Sequence, residues 1–104
     1  MPLKIQTSEG WTEVIIVDNC DFDRFYAVAA VLQEYFNIAF IRKLNDFDSI
    51  YWDFEYKGSV LTIYYNVFLW ISIFPKLLRE AKDLDNENVV ELSTLINAKL
   101  DSLN

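Results

Sequence analysis

The sequence predicts an α+β fold of two layers: a mainly antiparallel sheet, in the order β-β-α-β-β-β-β-α, with two main helices on one face. Three observations lead there. Residues 58–75, GSVLTIYYNVFLWISIFP, carry no charge and are dominated by Val, Ile, Thr, Tyr, Phe and Trp, the residues that favour strands. Two other stretches repeat apolar residues at helical spacing. Short polar breaks between apolar runs mark hairpins rather than long crossovers.

Taken in order, residues 3–6 and 12–17 flank Thr-Ser-Glu-Gly and read as an opening hairpin. Asp21 is a good N-cap for a helix to about Phe36, because a short acidic side chain can accept from the first free N–H groups. Phe22, Phe25, Ala29, Leu32 and Phe36 form its stripe, widened by Val28 and Tyr35; Arg24, Gln33 and Glu34 mark the wet side. Asn37 ends it. A strand follows over 38–44, then a loop over 45–49.

The uncharged run is too short and too rich in Ser, Thr and Asn for a spanning helix, which needs about 20 predominantly apolar residues. Lys57-Gly58 forms a two-residue turn, and that turn sets a register. Tyr56 meets Ser59, Phe54 meets Leu61, Trp52 meets Ile63 and Ile50 meets Tyr65, all on one apolar face. The other face pairs Tyr51 with Tyr64, Asp53 with Thr62 and Glu55 with Val60. A second turn near residues 66–68 returns Leu69, Ile71 and Ile73 to the apolar face. Pairing Ile63 with Ile71 then sets Tyr64 against Trp70, Thr62 against Ser72 and Val60 against Phe74.

Pro75 stops the last strand and opens a helical turn over 76–83, since its missing N–H is not needed in a first turn. The final helix is expected from about Glu87. Val89, Leu92, Ile96, Leu100 and Leu103 are its stripe, and Asn88 with Glu91 its capping pair. The whole, residues 1–104, is expected to be a single domain, a length that supports a core without staples.

Composition narrows the function. Sixteen acidic residues against nine basic ones give a net charge of −7, a field that repels phosphate backbones and disfavours nucleic-acid binding. The first ten residues lack an apolar leader segment, and the single Cys20 cannot form an internal disulfide. A cytoplasmic, acidic protein without membrane association is expected. The absence of His removes the commonest general base and zinc ligand. Cys20 stands beside acidic residues that blunt a thiol, and with two glycines there is no phosphate-cradling loop. Arg42-Lys43 and Lys76/Arg79/Lys82 are too sparse for a basic stripe. No catalytic residue and no cofactor is assigned; the expectation is that the protein is not an enzyme.

What remains is a surface. Tyr51, Tyr64, Trp70, Val60 and Phe74, edged by Asp53 and Glu55, would share the sheet face turned away from the helices. Such a patch is either ordinary cross-strand packing, a homodimer surface or a docking site for another protein. The leading expectation is a small, acidic, non-catalytic protein-interaction domain. Immunity proteins, antitoxins and secretion chaperones share its size and acidity, a likeness of bulk properties alone. The alternative is a small-ligand or divalent-cation-binding domain using Asp21, Asp23, Asp46 and Asp48. The segment Asp83-Leu-Asp85-Asn-Glu87 begins like a calcium loop, but it lacks the sharp-turn glycine and the closing glutamate, so no metal site is assigned.

Overall fold

The computed structural model describes residues 4–8, 10–66 and 70–103. Its elements are β1 (Lys4–Ser8), β2 (Trp11–Val17), α1 (Phe22–Phe36), β3 (Phe40–Asn45), β4 (Ser49–Tyr56), β5 (Ser59–Asn66), β6 (Trp70–Pro75), a 3-10 turn (Leu78–Glu80) and α2 (Asp83–Leu103). The six strands form one sheet in the order β1-β2-β6-β5-β4-β3, every neighbouring pair antiparallel. The α+β class and the predicted order of elements hold. Among the described residues no helix is long and apolar enough to cross a membrane; the uncharged run supplies β5 and β6.

The β4–β5 hairpin has the register the turn predicts, from Tyr56 opposite Ser59 to Ile50 opposite Tyr65. Lys57 and Gly58 both take positive φ, 50° and 85°. At Gly58 nothing would obstruct a Cβ, so the glycine answers a backbone demand rather than a shortage of space. The β5–β6 register differs from the expectation by two residues. Ile63 faces Ile73, Tyr64 faces Ser72, Thr62 faces Phe74 and Trp70 lies opposite Asn66. A two-residue shift preserves which face each side chain takes, so Ile71 and Ile73 still point inward. The predicted turn at 66–68 and the placement of Leu69 fall outside the described residues.

Both helices cover the inner face. Val14, Ile16, Phe54, Leu61, Ile63 and Ile73 meet Phe25, Val28 and Leu32 of α1 and Val89, Leu92 and Ile96 of α2 in one core. Fully burying each such side chain is worth about 1.5–3 kcal/mol, which makes this layer the main source of stability. Bulges interrupt two of the pairings. In β2 one brings both Ile16 and Val17 to the core, and in β3 another breaks the alternation between Phe40 and Arg42.

Asp21 caps α1, accepting from the Arg24 N–H at 3.1 Å, and Asn37 closes it in the left-handed conformation. The apolar stripe is rotated from the expected one: Val31 is buried, whereas Phe22 and Tyr35 are exposed. Phe22 lies against Tyr65 at 4.8 Å, and Lys99 sits over the Tyr35 ring at 3.9 Å. β1 continues through Thr7 and Ser8, residues read from the sequence as turn, and β3 starts at Phe40 rather than Ile38, which drops into the core.

α2 starts four residues earlier than expected. Asp85 accepts from the Lys82 N–H at 2.9 Å, closing the helix N-terminus as the acidic half of a capping box does. Asn88 is therefore no cap. It is buried inside the helix, with its amide donating to the Ser59 hydroxyl at 2.9 Å and aimed at the Tyr56 and Lys57 carbonyls. Of the expected α2 stripe only Leu103 is exposed.

Candidate functional site

Neither α1 nor α2 packs on the outer face of the sheet, whose centre is polar. Asp53 is only 7% exposed, yet both carboxylate oxygens are satisfied: the Thr62 hydroxyl donates at 2.7 Å and the Lys76 ammonium at 2.6 Å. Lys76 reaches it because the ladder runs one step beyond the Leu61–Pro75 pair, the Lys76 N–H donating to the Val60 carbonyl at 3.1 Å, and alternation then puts its side chain on the same face as Phe74. A buried carboxylate without such partners would be costly; with them it anchors the 76–82 segment to the sheet.

Beside this cluster runs the aromatic row. Tyr51 and Tyr64 stack at 4.7 Å and Phe74 meets Tyr64 edge-on at 5.8 Å, all three half-buried. Burial, with the Tyr51 phenol next to it, holds the Tyr64 hydroxyl above its usual pKa. Trp70 is half-buried on the same face two pairs further along, not opposite Tyr64 as expected. Glu55 is exposed opposite Val60. Of the six surface residues read from the sequence, Tyr51, Asp53 and Phe74 therefore converge on one shallow depression of about 330 Å³, completed by Arg42, Leu44, Thr62, Lys76 and Leu78.

A larger cleft of about 530 Å³ adjoins it. Its walls are Ile41 and Arg42 of β3, Gly58 and Val60 at the β4–β5 hairpin, and Leu77, Lys82, Leu84 and Asp85 of the crossing segment and α2; Asp53 and Lys76 also line it. Ile41 and Arg42 are consecutive, and regular alternation would send them to opposite faces. The β3 bulge lets both line the cleft. The far wall is fixed by the Ser59 hydroxyl, which donates to Asp85 at 2.6 Å. That bond and the Lys82 N–H hold the Asp85 carboxyl below its usual pKa.

Arg42, Lys76 and Lys82 were too scattered along the chain to signal anything; the fold gathers them. Arg42 and Lys43 part company, Lys43 lying over Trp52 at 4.4 Å on the other face. Three of the four aspartates of the alternative reading are used locally, and the fourth, Asp23, lies in the first turn of α1. Asp21 caps α1, Asp46 accepts from the Phe47 N–H at 2.8 Å and Asp48 from the Ser49 hydroxyl at 3.3 Å. Asp83, Asp85 and Glu87 lie in α2 rather than in a loop. Among the described residues no three His, Cys, Asp or Glu side chains converge as a metal site would need. Burial first, and Asp21 second, push the Cys20 thiol up to about 11, so it is largely protonated near neutrality.

Fold and surface together define a two-layer α+β domain with one helix-covered face and one open, grooved face. The chain belongs to the family described as "Protein of unknown function (DUF3630)", whose model matches residues 3–88. That span takes in every residue lining the two depressions. No curated protein and no solved structure matches the chain.

Proposed function

We propose that this protein is a non-catalytic interaction domain that docks another protein on the open sheet face, around Tyr51, Asp53, Tyr64, Trp70 and Phe74 with Glu55 at the edge. One observation carries the reading: the apolar side chains next to this face are turned to solvent. Leu44 and Leu78 are exposed beside the aromatic row, and Phe47, in the loop from β3 to β4, is 97% exposed. Contiguous exposed apolar surface with aromatic side chains is the usual composition of a protein contact.

Charge selects the partner's chemistry. Phe47 stands between the exposed Asp46 and Asp48, and the chain as a whole carries −7. Two copies would repel each other, so the partner is a different protein whose apolar surface is edged by basic residues. The same charge makes its association rate fall as salt rises.

Phe47→Ser and Leu44→Ser test this reading, because neither side chain supports the core. Once a partner has been purified, each substitution is expected to weaken binding roughly tenfold or more, as loss of a contact anchor does, with the melting temperature unchanged. Binding that ignores both substitutions contradicts the reading. So does light scattering that finds the wild type a dimer and the Phe47→Ser protein a monomer.

A further inference from the structure

We infer that the larger cleft is a binding site for a small amphipathic carboxylate, an apolar body ending in one negative charge. This does not rest on the docking proposal, since a ligand seated there leaves Phe47, Leu44 and Leu78 uncovered.

The cleft's size comes first. About 530 Å³ lies within the range of about 300–1,000 Å³ typical of small-ligand sites, which are mostly apolar with a few convergent polar groups. Ile41, Val60, Leu77 and Leu84 supply apolar walls, each exposed in the free protein and Ile41 63% so. A ligand covering them would remove apolar surface from water on both partners.

Charge then selects the head group. Five charged side chains line the cleft, and both carboxylates are already engaged: Asp53 by Thr62 and Lys76, Asp85 by Ser59 and the Lys82 N–H. Among the described residues no carboxylate forms an ion pair with Arg42 or with the Lys82 ammonium. The lining thus offers the Arg42 guanidinium without an ion pair, and beside it the Lys82 ammonium, which acts on Asp85 only at a distance, in a molecule whose overall field is negative. A guanidinium presents a planar fork matched to a carboxylate. A phosphate dianion would bring more charge than these two groups balance, alongside two fixed aspartates.

The cleft is also built before any ligand arrives. The Lys76–Asp53 and Asp85–Ser59 bonds and the buried Asn88 amide fix the crossing segment and the start of α2 to the hairpin. Binding therefore orders little chain. The bulge in β3, which lets Arg42 and Ile41 share one side, is a deviation of the kind that re-aims side chains at sites.

Octanoate is the probe, with octan-1-ol and octylammonium as neutral and cationic matches. Calorimetric titration of the full-length protein is expected to show saturable binding of octanoate, weaker binding of the alcohol and none of the cation. The molecule's net charge alone predicts the reverse order of the two ions, so their ranking separates the cleft's effect from the bulk field. Arg42→Gln is expected to weaken octanoate binding roughly tenfold, as loss of a charge-assisted contact does, while leaving the alcohol unaffected. Ile41→Glu, at an exposed position that tolerates substitution, is expected to abolish octanoate binding with the melting temperature of the free protein retained. The proposal is overturned if octanoate shows no saturable binding, if alcohol and carboxylate bind alike, or if Arg42→Gln binds octanoate as the wild type does.

Discussion

The same strands present two unlike faces, and the contrast lies within single residues of chain. In β4, Ile50, Trp52 and Phe54 point at the helices and close the core, while Tyr51, Asp53 and Glu55 point away. On the inner face stability comes from area removed from water, which needs only the right size and shape. On the outer face order comes from specific bonds, Thr62 and Lys76 to Asp53 and Ser72 to Glu13, with apolar groups left at the margins. A face held by a few polar bonds can keep a recess open. One held by packing cannot.

The largest effect should come from the inner face. Phe54→Ala removes a fully buried ring in contact with Phe40 and is expected to cost about 3–5 kcal/mol in urea unfolding. Phe47→Ser, changing the same residue type on the solvent side, should stay within about 0.5 kcal/mol of wild type. If the two costs came out alike, the division into faces would be wrong.

An intermediate effect sharpens the comparison at Asp53. Asp53→Ala strands the Thr62 hydroxyl and frees Lys76, for an expected loss of about 1–3 kcal/mol. Asp53→Asn keeps the Thr62 bond and should lose less. Beyond stability, freeing Lys76 loosens the 76–82 segment, which should appear as faster amide exchange there than in β5.

The smallest effect is set by pH. The folded-state pKa of Asp85 lies below its ordinary 3.8, so on acidification the unfolded chain takes the proton first. Its contribution is whole above that ordinary value and is lost as pH falls through the depressed one. Melting curves of Ser59→Ala below pH 4 should therefore fall less steeply with acid than wild type, since this bond is the main cause of the depression.

How much of this could be read from the chain follows the same divide. Gly58 announced the β4–β5 turn, and alternation carried the register through seven of the eight residue pairs, the last, Ser49 with Asn66, falling where a loop was expected. Between β5 and β6 no Gly or Pro marks a turn, so only the parity of the faces was legible and the pairing came out two residues off. Asp83 to Glu87 looked like a loop because its charges hid a capping role for Asp85, and Asn88 looked like a cap because its burial depends on a hairpin about thirty residues away. The tyrosine pair and Asp53 were visible in the strand pattern. The larger cleft was not: its lining comes from positions 41–42, 53–60 and 76–85, and the bulge that lets Ile41 and Arg42 line it together leaves no mark in the residue order.

The openness of the outer face is tested most directly by methyl relaxation in the presence of a soluble paramagnetic agent. Leu44, Val60, Leu77 and Leu84 should broaden strongly, while Ile63, Ile73, Leu92 and Ile96 stay sharp. Equal protection of both sets would mean that the outer face is covered in the free protein, and neither a docking surface nor an open cleft would remain.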